Sequence, residues 1–343
     1  MRWEALQVEG QDGQTLPGYR DPAVVRTFDA PEAMDVRFHE VRAKSVLNRV
    51  PPSSQMPFRW TINPYRGCTH ACVFCFARPT HTYLDFNAGR DFEREIVVKV
   101  NAPEVVRAEL SRPRWKREHV AMGTNTDPYQ WVEGRYRLMP GIWDALRDSG
   151  TPASILTKSP LLLRDMELMK RVGERGGVSA NLSVPTLDEK AWRATEPHTP
   201  HPRARLEAVA ELNRAGIPCG VLIAPLMPGV NDDPKQVERI LDLCAEAGAV
   251  DVGGIALHLR REVKALWFDW LAEHRPDLLA RYRKLYRDRA YATKEERARL
   301  AALARGGGRR AWPRRFGAGA AEVEPAEPAR RPRERQGIQA SLF

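Results

Sequence analysis

No run of apolar residues in this sequence is long enough to cross a membrane, which would take about 20 consecutive positions. Residues 1–9 carry acidic and polar side chains where a secretory signal would need an apolar segment. Cysteine is also scarce, with 5 in 343 residues. These absences argue against a membrane-spanning protein and against a disulfide-rich secreted domain. We therefore expect a cytoplasmic protein whose thiols stay reduced.

Three of the five cysteines stand close together. Cys68, Cys72 and Cys75 have the spacing C-x3-C-x2-C, whereas the other two are isolated and fit buried small side chains. Clustered thiolates indicate zinc or an iron–sulfur cluster. A structural zinc site needs four protein ligands, and only His70 is close enough to complete one, at an unusually tight spacing. Three thiolates on a four-iron cluster would instead leave one iron open to a small molecule.

Residues 63–78, which contain these cysteines, have a distinctive sequence. They read N-P-Y-R-G-C up to the first cysteine and C-F-A-R from the third, with Phe74 directly before Cys75. The spacing resembles the cluster loop of the radical S-adenosylmethionine (SAM) superfamily. The surrounding words resemble its spore-photoproduct-lyase-like branch, which is commonly described as DNA-repair-photolyase-like. The resemblance covers residues 58–260.

The resemblance implies a metal-binding enzyme with two cofactors. They are a [4Fe–4S] cluster on Cys68, Cys72 and Cys75, and SAM bound at the open iron. It implies that the reduced cluster cleaves SAM to methionine and a 5′-deoxyadenosyl radical, with an electron donor such as flavodoxin or ferredoxin. The branch suggests a lyase or a nucleic-acid-modifying enzyme, acting in DNA repair or modification.

From residue 120 onward, short apolar runs alternate with stretches of helical pattern. This alternation predicts βαβ units and a parallel α/β sheet. Five strands in residues 120–257 and one in residues 58–62 make six, which agrees with the partial (βα)6 barrel of the radical SAM type. A further β-rich run at residues 95–100 does not fit this count, and we interpret it as an extra edge segment.

The chain is predicted to have four segments. They are an irregular N-terminal arm at 1–57, the radical SAM core at 58–260, a C-terminal helical extension at 261–304 and a disordered basic tail at 305–343. The tail ends in Gln339, Leu342 and Phe343, in a Q-x-S-L-F pattern. That pattern resembles the peptide by which bacterial DNA-repair and replication proteins dock on the sliding clamp, although a chance match is the alternative.

Polar residues at the ends of the predicted strands are candidates for binding SAM, because ligands of parallel α/β folds collect at the carboxyl ends of strands. The candidates, with one aromatic residue, are Thr124, Asn125, Thr126, Asp127, Lys158, Ser179, Ser183 and Phe74. By resemblance, residues 124–127 lie near the methionine end of SAM, and Phe74 lies near the adenine. Lys158 could meet the SAM carboxylate, and the serines could bind the ribose. The ordinary alternatives are a polar turn, a solvated surface lysine and loop packing.

The formal net charge of +10 and the pI near 9.6 permit a polyanionic partner. Together with the branch resemblance, they favour a radical SAM enzyme that acts on nucleic acid, either DNA or RNA. A radical SAM enzyme acting on a peptide, protein or small molecule is one alternative, and a zinc-bearing binding module is another. Spore photoproduct lyase proper has a cysteine just before the segment that corresponds to residues 124–127. Met122 and Gly123 stand there in this chain, so thymine-dimer repair itself is not implied.

Overall fold

The computed structural model describes residues 8–28, 35–54, 56–306 and 312. The predicted clamp-docking residues Gln339, Leu342 and Phe343 lie outside these described residues. In the part of the chain that is described, no helix is long and apolar enough to cross a bilayer.

The described residues form twelve strands and eleven α-helices. The strands are β1 (Val8–Asp12), β2 (Val24–Phe28), β3 (Arg37–Val41), β4 (Leu47–Arg49), β5 (Trp60–Ile62), β6 (Tyr65–Arg66), β7 (Glu95–Lys99), β8 (Val120–Met122), β9 (Ala153–Thr157), β10 (Val178–Ser183), β11 (Cys219–Leu226) and β12 (Val252–Ala256). The helices are α1 (Arg90–Arg94), α2 (Ala102–Leu110), α3 (Glu133–Tyr136), α4 (Leu138–Ser149), α5 (Met166–Arg175), α6 (Glu189–Thr195), α7 (Pro202–Arg214), α8 (Pro234–Glu246), α9 (Glu262–His274), α10 (Leu279–Leu285) and α11 (Lys294–Ala304).

The larger sheet has seven strands in the order β12-β11-β10-β9-β8-β5-β4. Strands β5 and β8 to β12 of this sheet are parallel, and each of these six pairs with its neighbour. Strand β4 is antiparallel to β5. Helices between them cover the sheet, so β11 is buried along most of its length, as is usual for parallel strands. The prediction of a parallel α/β sheet with six strands is confirmed.

A second sheet has the order β1-β2-β3-β7-β6. The prediction that residues 1–57 form an arm with little regular structure is therefore wrong, because β1 to β4 lie in that segment. The interpretation of residues 95–100 as an edge segment is also wrong. Strand β7 lies between β3 and β6, and all five of its residues are buried.

Local signals set many of the element ends. Gly150 ends α4 with a φ of +63°, in the left-handed region that glycine tolerates best. The Asp233 side chain accepts a hydrogen bond from the Gln236 N–H and caps α8, with Pro234 in its first turn. Ser159 likewise caps the turn that follows β9, which is a 3-10 helix before it becomes α5.

The segment predicted as a helical extension contains three α-helices. Helices α9 and α10 occupy the predicted region, with a 3-10 turn at Pro276–Leu278 between them. Helix α11 follows, and it packs on the last strand of the larger sheet, β12, and on α8. Its apolar periodicity is weak, since Leu300 and Ala304 are its only buried residues.

Candidate radical SAM site

The carboxyl ends of the parallel strands surround a mainly apolar cavity of about 200 Å³. Cys68, Cys72 and Cys75 all line it, on the loop that follows β5 and β6. The strand ends contribute Asn125, Asp127, Lys158, Ser183, Ala224 and Ile255 to its walls. Burial raises the pKa of the Cys72 thiol well above its usual range and that of Cys75 to about 11. A metal that binds these thiols must displace their protons.

The buried Arg78 guanidinium holds the cysteine loop together. It donates to the carbonyl oxygens of Cys72 at 3.0 Å, Ala71 at 3.2 Å and Gly89 at 2.7 Å, and it pairs with Glu93 at 2.8 Å. A planar group with five donors can bond several carbonyls at once, which a lysine cannot do. Arg78 therefore positions the loop through its backbone carbonyls. The sequence pattern alone does not indicate this role.

The start of the loop is fixed by a close approach to the chain that precedes β7. Gly67 has a φ of +79°, and a Cβ at this position would lie 2.8 Å from the Phe92 carbonyl oxygen. The Cys68 N–H donates to that same oxygen at 2.9 Å. The Gln130 side chain accepts from the Thr69 N–H at 2.9 Å and donates to the Gly67 carbonyl at 3.2 Å. The first cysteine is thus placed by two separate segments of the chain.

The Asp127 carboxylate lies at the cavity wall but is occupied by the protein's own donors. It accepts hydrogen bonds from the Thr157 hydroxyl at 2.6 Å and from the Lys158 N–H at 2.8 Å, and it pairs with His70 at 3.3 Å. Burial alone would raise the pKa of Asp127, but His70 and these hydrogen bonds lower it by more. Burial alone would lower the pKa of His70, but Cys68 and Asp127 raise it to about 10. Asp127 therefore ties the cysteine loop to β9, and because it also lines the cavity, its role in binding SAM stays a prediction.

Lys158 lines the cavity as the sequence predicts, and it is not a solvated surface lysine. Its ammonium lies 2.5 Å from Glu196 Oε1 and 2.7 Å from Ser183 Oγ, and it stands 5.7 Å from the centre of the Phe74 ring. Glu196 is fully buried and also pairs with the buried Arg205 at 2.9 Å. Burial raises the pKa of Glu196, but Arg205 and Lys158 lower it by more, so the carboxylate stays ionised.

The sequence does not indicate Glu196, because Lys158, its partner at the cavity, comes from a distant part of the chain. The carboxylate follows α6, Lys158 follows β9, and Arg205 lies on α7. The sequence around Glu196 is a short polar stretch with no motif. A lysine that is buried at a strand end needs a carboxylate partner, because an unpaired buried charge is costly. That need is the one signal in the sequence for an acid such as Glu196.

The other predicted SAM-binding residues divide into two groups. Asn125, Ser183 and Phe74 line the cavity, and Thr124, Thr126 and Ser179 are not among its lining residues. The Thr126 hydroxyl is buried and donates to the Tyr65 carbonyl at 3.0 Å. Ser179 lies four residues before Ser183, roughly 13 Å away along β10 and so toward the opposite end of the strand. The predicted roles of these three residues in binding SAM stay predictions.

Gly123 has no room for a side chain. Its φ is +77°, and a Cβ built on it would lie 1.8 Å from the Leu156 carbonyl oxygen. This glycine precedes Thr124, near the position at which the resemblance places a cysteine in spore photoproduct lyase. No cysteine could be accommodated at Gly123 unless the end of β9 moved.

Exposed apolar side chains surround the mouth of the cavity. Phe76 and Ile255 line it and are 51% and 45% exposed. His258 also lines it, and the Tyr291 ring stacks on His258 with centroids 4.1 Å apart and an interplanar angle of 5°. Tyr291 is itself 43% exposed, and the Arg297 guanidinium lies 5.7 Å from the centre of its ring. We call the rings of Phe76, His258 and Tyr291, together with the neighbouring Ile255, the aromatic rim.

Comparison with known proteins places this site in a family. A sequence model of the radical SAM superfamily matches residues 62–249. An uncharacterized protein of Mycobacterium tuberculosis H37Rv is similar, with 48% identity over 295 residues, which are 85% of this chain and 87% of that protein. A radical SAM Nalpha-GlyT isomerase of Pseudomonas phage M6 is 28% identical over 184 residues, which are 52% of this chain and 36% of that protein.

Among solved structures, spore photoproduct lyase complexed with a dinucleoside spore photoproduct superposes with a TM-score of 0.56 and 16% identity. The superposition covers 78% of this chain and 77% of that chain, and it shows a shared fold. The family match spans more than half of the present sequence and contains all three cysteines of the loop. The family itself implies a [4Fe–4S] cluster and SAM, as the sequence resemblance also predicts. This chain belongs to the radical SAM superfamily.

Proposed function

We propose that this protein is an enzyme that cleaves SAM reductively at a [4Fe–4S] cluster and uses the resulting radical on a nucleic acid. The observation that carries the proposal is the position of Cys68, Cys72 and Cys75. All three line one cavity at the carboxyl ends of parallel strands. This is the end at which loops and strand termini of α/β folds converge on ligands.

The donor set fits a cluster better than a single ion. Among the described residues, no three side chains of His, Cys, Asp or Glu are placed to hold one metal ion together. His70, the candidate for a fourth zinc ligand, is a hydrogen-bond partner of both Asp127 and Cys68. A four-iron cluster is several ångströms across and would need thiols that surround it. Three soft thiolates on one loop meet that need and leave one iron free.

The walls of the cavity supply groups that would hold SAM beside such a cluster. The Lys158 ammonium would bond the SAM carboxylate, and Asn125 and Ser183 would bond its polar groups. The Phe74 ring would form an apolar wall for the adenine. When bound, the cluster and SAM supply a 5′-deoxyadenosyl radical. The protein's residues bind and orient SAM and exclude water from it.

Three observations support a nucleic-acid substrate. The aromatic rim offers exposed rings beside the cavity, and an unpaired base can stack on such rings. The structure that shares this fold contains a dinucleoside spore photoproduct. The chain carries a formal net charge of +10, which favours a polyanion. An electron donor such as flavodoxin or ferredoxin would reduce the cluster.

The test of the radical chemistry is an anaerobic assay of the reconstituted protein. With dithionite and SAM, the wild type should release 5′-deoxyadenosine, and Cys72→Ala should release none. Cys219→Ala is the matched control, because Cys219 is buried in the core and is not among the residues lining the cavity. Release of 5′-deoxyadenosine by the Cys72 variant, or its loss in both variants, would contradict the proposal.

The substrate class is tested with SAM deuterated at C5′. Single-stranded DNA, single-stranded RNA and a mixture of unrelated peptides are incubated separately with the active enzyme. Deuterium in a nucleic acid, or release of 5′-deoxyadenosine that has gained one protium only when a nucleic acid is present, would support the proposed class. Transfer only to or from peptides would establish the alternative substrate.

A further inference from the structure

A second cavity, of about 320 Å³, lies where the smaller sheet meets the strand that leads into the cysteine loop. Its walls carry four cationic side chains, Arg20, Lys44, Arg66 and Lys99. No acidic side chain is among the described residues that line it. A concave surface lined by four cations and no anion is unusual, because like charges repel each other when their field is not balanced.

The fold brings these cations together from separate parts of the chain. Arg66 on β6 pairs with Val97 on β7, and Lys99 lies two residues further along the same strand. Side chains two apart on a strand share a face, so Arg66 and Lys99 are diagonal neighbours. Lys44 follows β3, which pairs with β7 in a register of Val41 with Lys99. Arg20 lies between β1 and β2.

Lys99 is the central group because it is buried and has no partner. It is only 5% exposed. Within the described residues, no hydrogen-bond acceptor and no ion-pair partner contacts its ammonium. Burial and the neighbouring Arg66 together lower the pKa of Lys99 to about 7, against a smaller opposite effect of Glu109. A buried ammonium without a partner is costly, and an anion in the cavity would remove that cost.

The nearest carboxylate does not neutralise the cavity. Glu109 accepts hydrogen bonds from the Ser45 hydroxyl at 2.6 Å and from the N–H groups of Val46 at 3.1 Å and Leu47 at 2.9 Å. Its oxygens are therefore used to hold the chain after β3. None of the four cations forms an ion pair within the described part of the protein.

We propose that this cationic cavity binds a phosphate group. Guanidinium and ammonium groups together supply many charge-assisted donors, which suits a tetrahedral oxyanion with several acceptor oxygens. Two sources share this chemistry, the phosphodiester backbone of a nucleic-acid strand and a free or small-molecule phosphate. Arg66 stands only two residues before Cys68, so a strand bound here would adjoin the cysteine loop.

The first arm of the test uses inorganic phosphate as the probe and the full-length holoprotein. Thermal unfolding is compared in phosphate and in chloride at equal ionic strength. Phosphate should raise the Tm of the wild type, because a ligand that binds only the folded state stabilises it. Lys99→Met, which removes the charge but keeps the length, should lose this rise. Arg171→Met is the matched control, since Arg171 is an exposed cation on α5 outside this cavity.

The second arm distinguishes the two phosphate sources. Anisotropy of a labelled single-stranded oligonucleotide is measured with the wild type, Lys99→Met and Arg171→Met. If the strand's phosphate occupies the cavity, Lys99→Met should weaken its binding about tenfold or more, and inorganic phosphate should compete. If a free phosphate is the ligand, oligonucleotide affinity should be unchanged while the phosphate-dependent Tm rise is still lost.

The proposal fails if phosphate does not raise the wild-type Tm more than chloride does, or if Lys99→Met and Arg171→Met respond alike. Should Lys99→Met not fold, Lys44→Met at the exposed edge of the cavity takes its place. Release of 5′-deoxyadenosine without substrate should be the same in the wild type and Lys99→Met. Failure of the phosphate site is thereby distinguishable from failure of the radical chemistry.

Discussion

The Lys158 ammonium lies 2.5 Å from a carboxylate oxygen of Glu196, and Glu196 is fully buried behind the cavity wall. This pairing holds a positive charge at the cavity edge, with Ser183 as a second partner at 2.7 Å. A free lysine would lose side-chain entropy on binding a ligand. A lysine that is already held by Glu196 has lost much of that freedom in the empty protein. The pair therefore prepares the cavity for an anionic group.

Lys158→Met should keep the iron and sulfide content of the protein and weaken SAM binding. A charge-assisted contact to a carboxylate contributes roughly 1.5–3 kcal/mol, so the affinity should fall by about one to two decades. Equilibrium binding of SAM to the reconstituted cluster measures this. Lys170→Met, on α5 and outside the cavity, is the control and should bind as the wild type does. Equal SAM affinity in all three proteins would remove Lys158 from the site.

Glu196→Gln should lower the free energy of unfolding at neutral pH by about 3–5 kcal/mol, because it leaves the buried Arg205 without its counter-ion. The pKa of Glu196 is lower in the folded state, so its ionised form stabilises the protein above the ordinary glutamate pKa. That stabilisation is lost as the pH falls through the folded-state pKa. Urea unfolding of both proteins should show their difference shrinking in acid. A difference independent of pH would contradict the assignment.

Gly123→Ala should destabilise the protein severely, and Gly150→Ala should do so mildly. Both glycines have a positive φ, which costs another residue about 1–3 kcal/mol. A Cβ at Gly123 would lie 1.8 Å from the Leu156 carbonyl oxygen, whereas a Cβ at Gly150 meets nothing within 4 Å. The difference between the two variants in urea unfolding isolates the close approach. Similar losses in both would show that the end of β9 moves readily.

Arg78→Lys should reduce the amount of cluster that the protein retains. The lysine keeps the charge opposite Glu93, but it cannot reach the carbonyls of Cys72, Ala71 and Gly89 together. Iron and sulfide per chain after anaerobic reconstitution provide the measurement. The matched control is Arg193→Lys, which changes an exposed pair with Glu189. Full cluster occupancy in Arg78→Lys would show that the loop keeps its conformation without the hydrogen bonds of Arg78.

Tyr291→Ala should weaken the binding of single-stranded nucleic acid. Stacking of one base on an aromatic side chain contributes about 1–3 kcal/mol, so a loss of about one to two decades in affinity is expected if Tyr291 carries a base. Met56→Ala is the control, because Met56 is similarly exposed, at 48%, and is not among the residues lining the cavity. Unchanged affinity in Tyr291→Ala would exclude this ring from the binding surface.

The sequence alone predicts those parts of the molecule that depend on neighbours in the chain. The cysteine loop is one continuous stretch, and β8 and β9 are found at the positions that their apolar runs indicate. The caps by Ser159 and Asp233 are local hydrogen bonds, so they too are readable. Helix periodicity follows from burial on one face, and α4 and α8 both have their buried residues at helical spacing.

Features that depend on distant partners could not be predicted in the same way. The smaller sheet is stabilised by pairing of β3 with β7, and Arg37 and Glu95 meet across 58 positions of sequence. Short polar strands have no strong preference of their own, and tertiary pairing decides their conformation. Asp127 was assigned to SAM because its partners were not known. Once Thr157 and the Lys158 N–H occupy its oxygens, the same carboxylate becomes a tie between strands.

The chain that leads into the cysteine loop belongs to both sheets. Strand β5 pairs with β8 of the larger sheet, yet β6, only two residues later, pairs with β7 of the smaller one. The loop is thus attached to both sheets. Cofactor loading should therefore be linked thermodynamically to the integrity of both sheets. Loss of the strands β1 to β3 should therefore be measured as a loss of metal as well as a loss of the smaller sheet. Conversely, filling the metal site should slow proteolysis of the N-terminal strands, at a distance from any residue that touches iron.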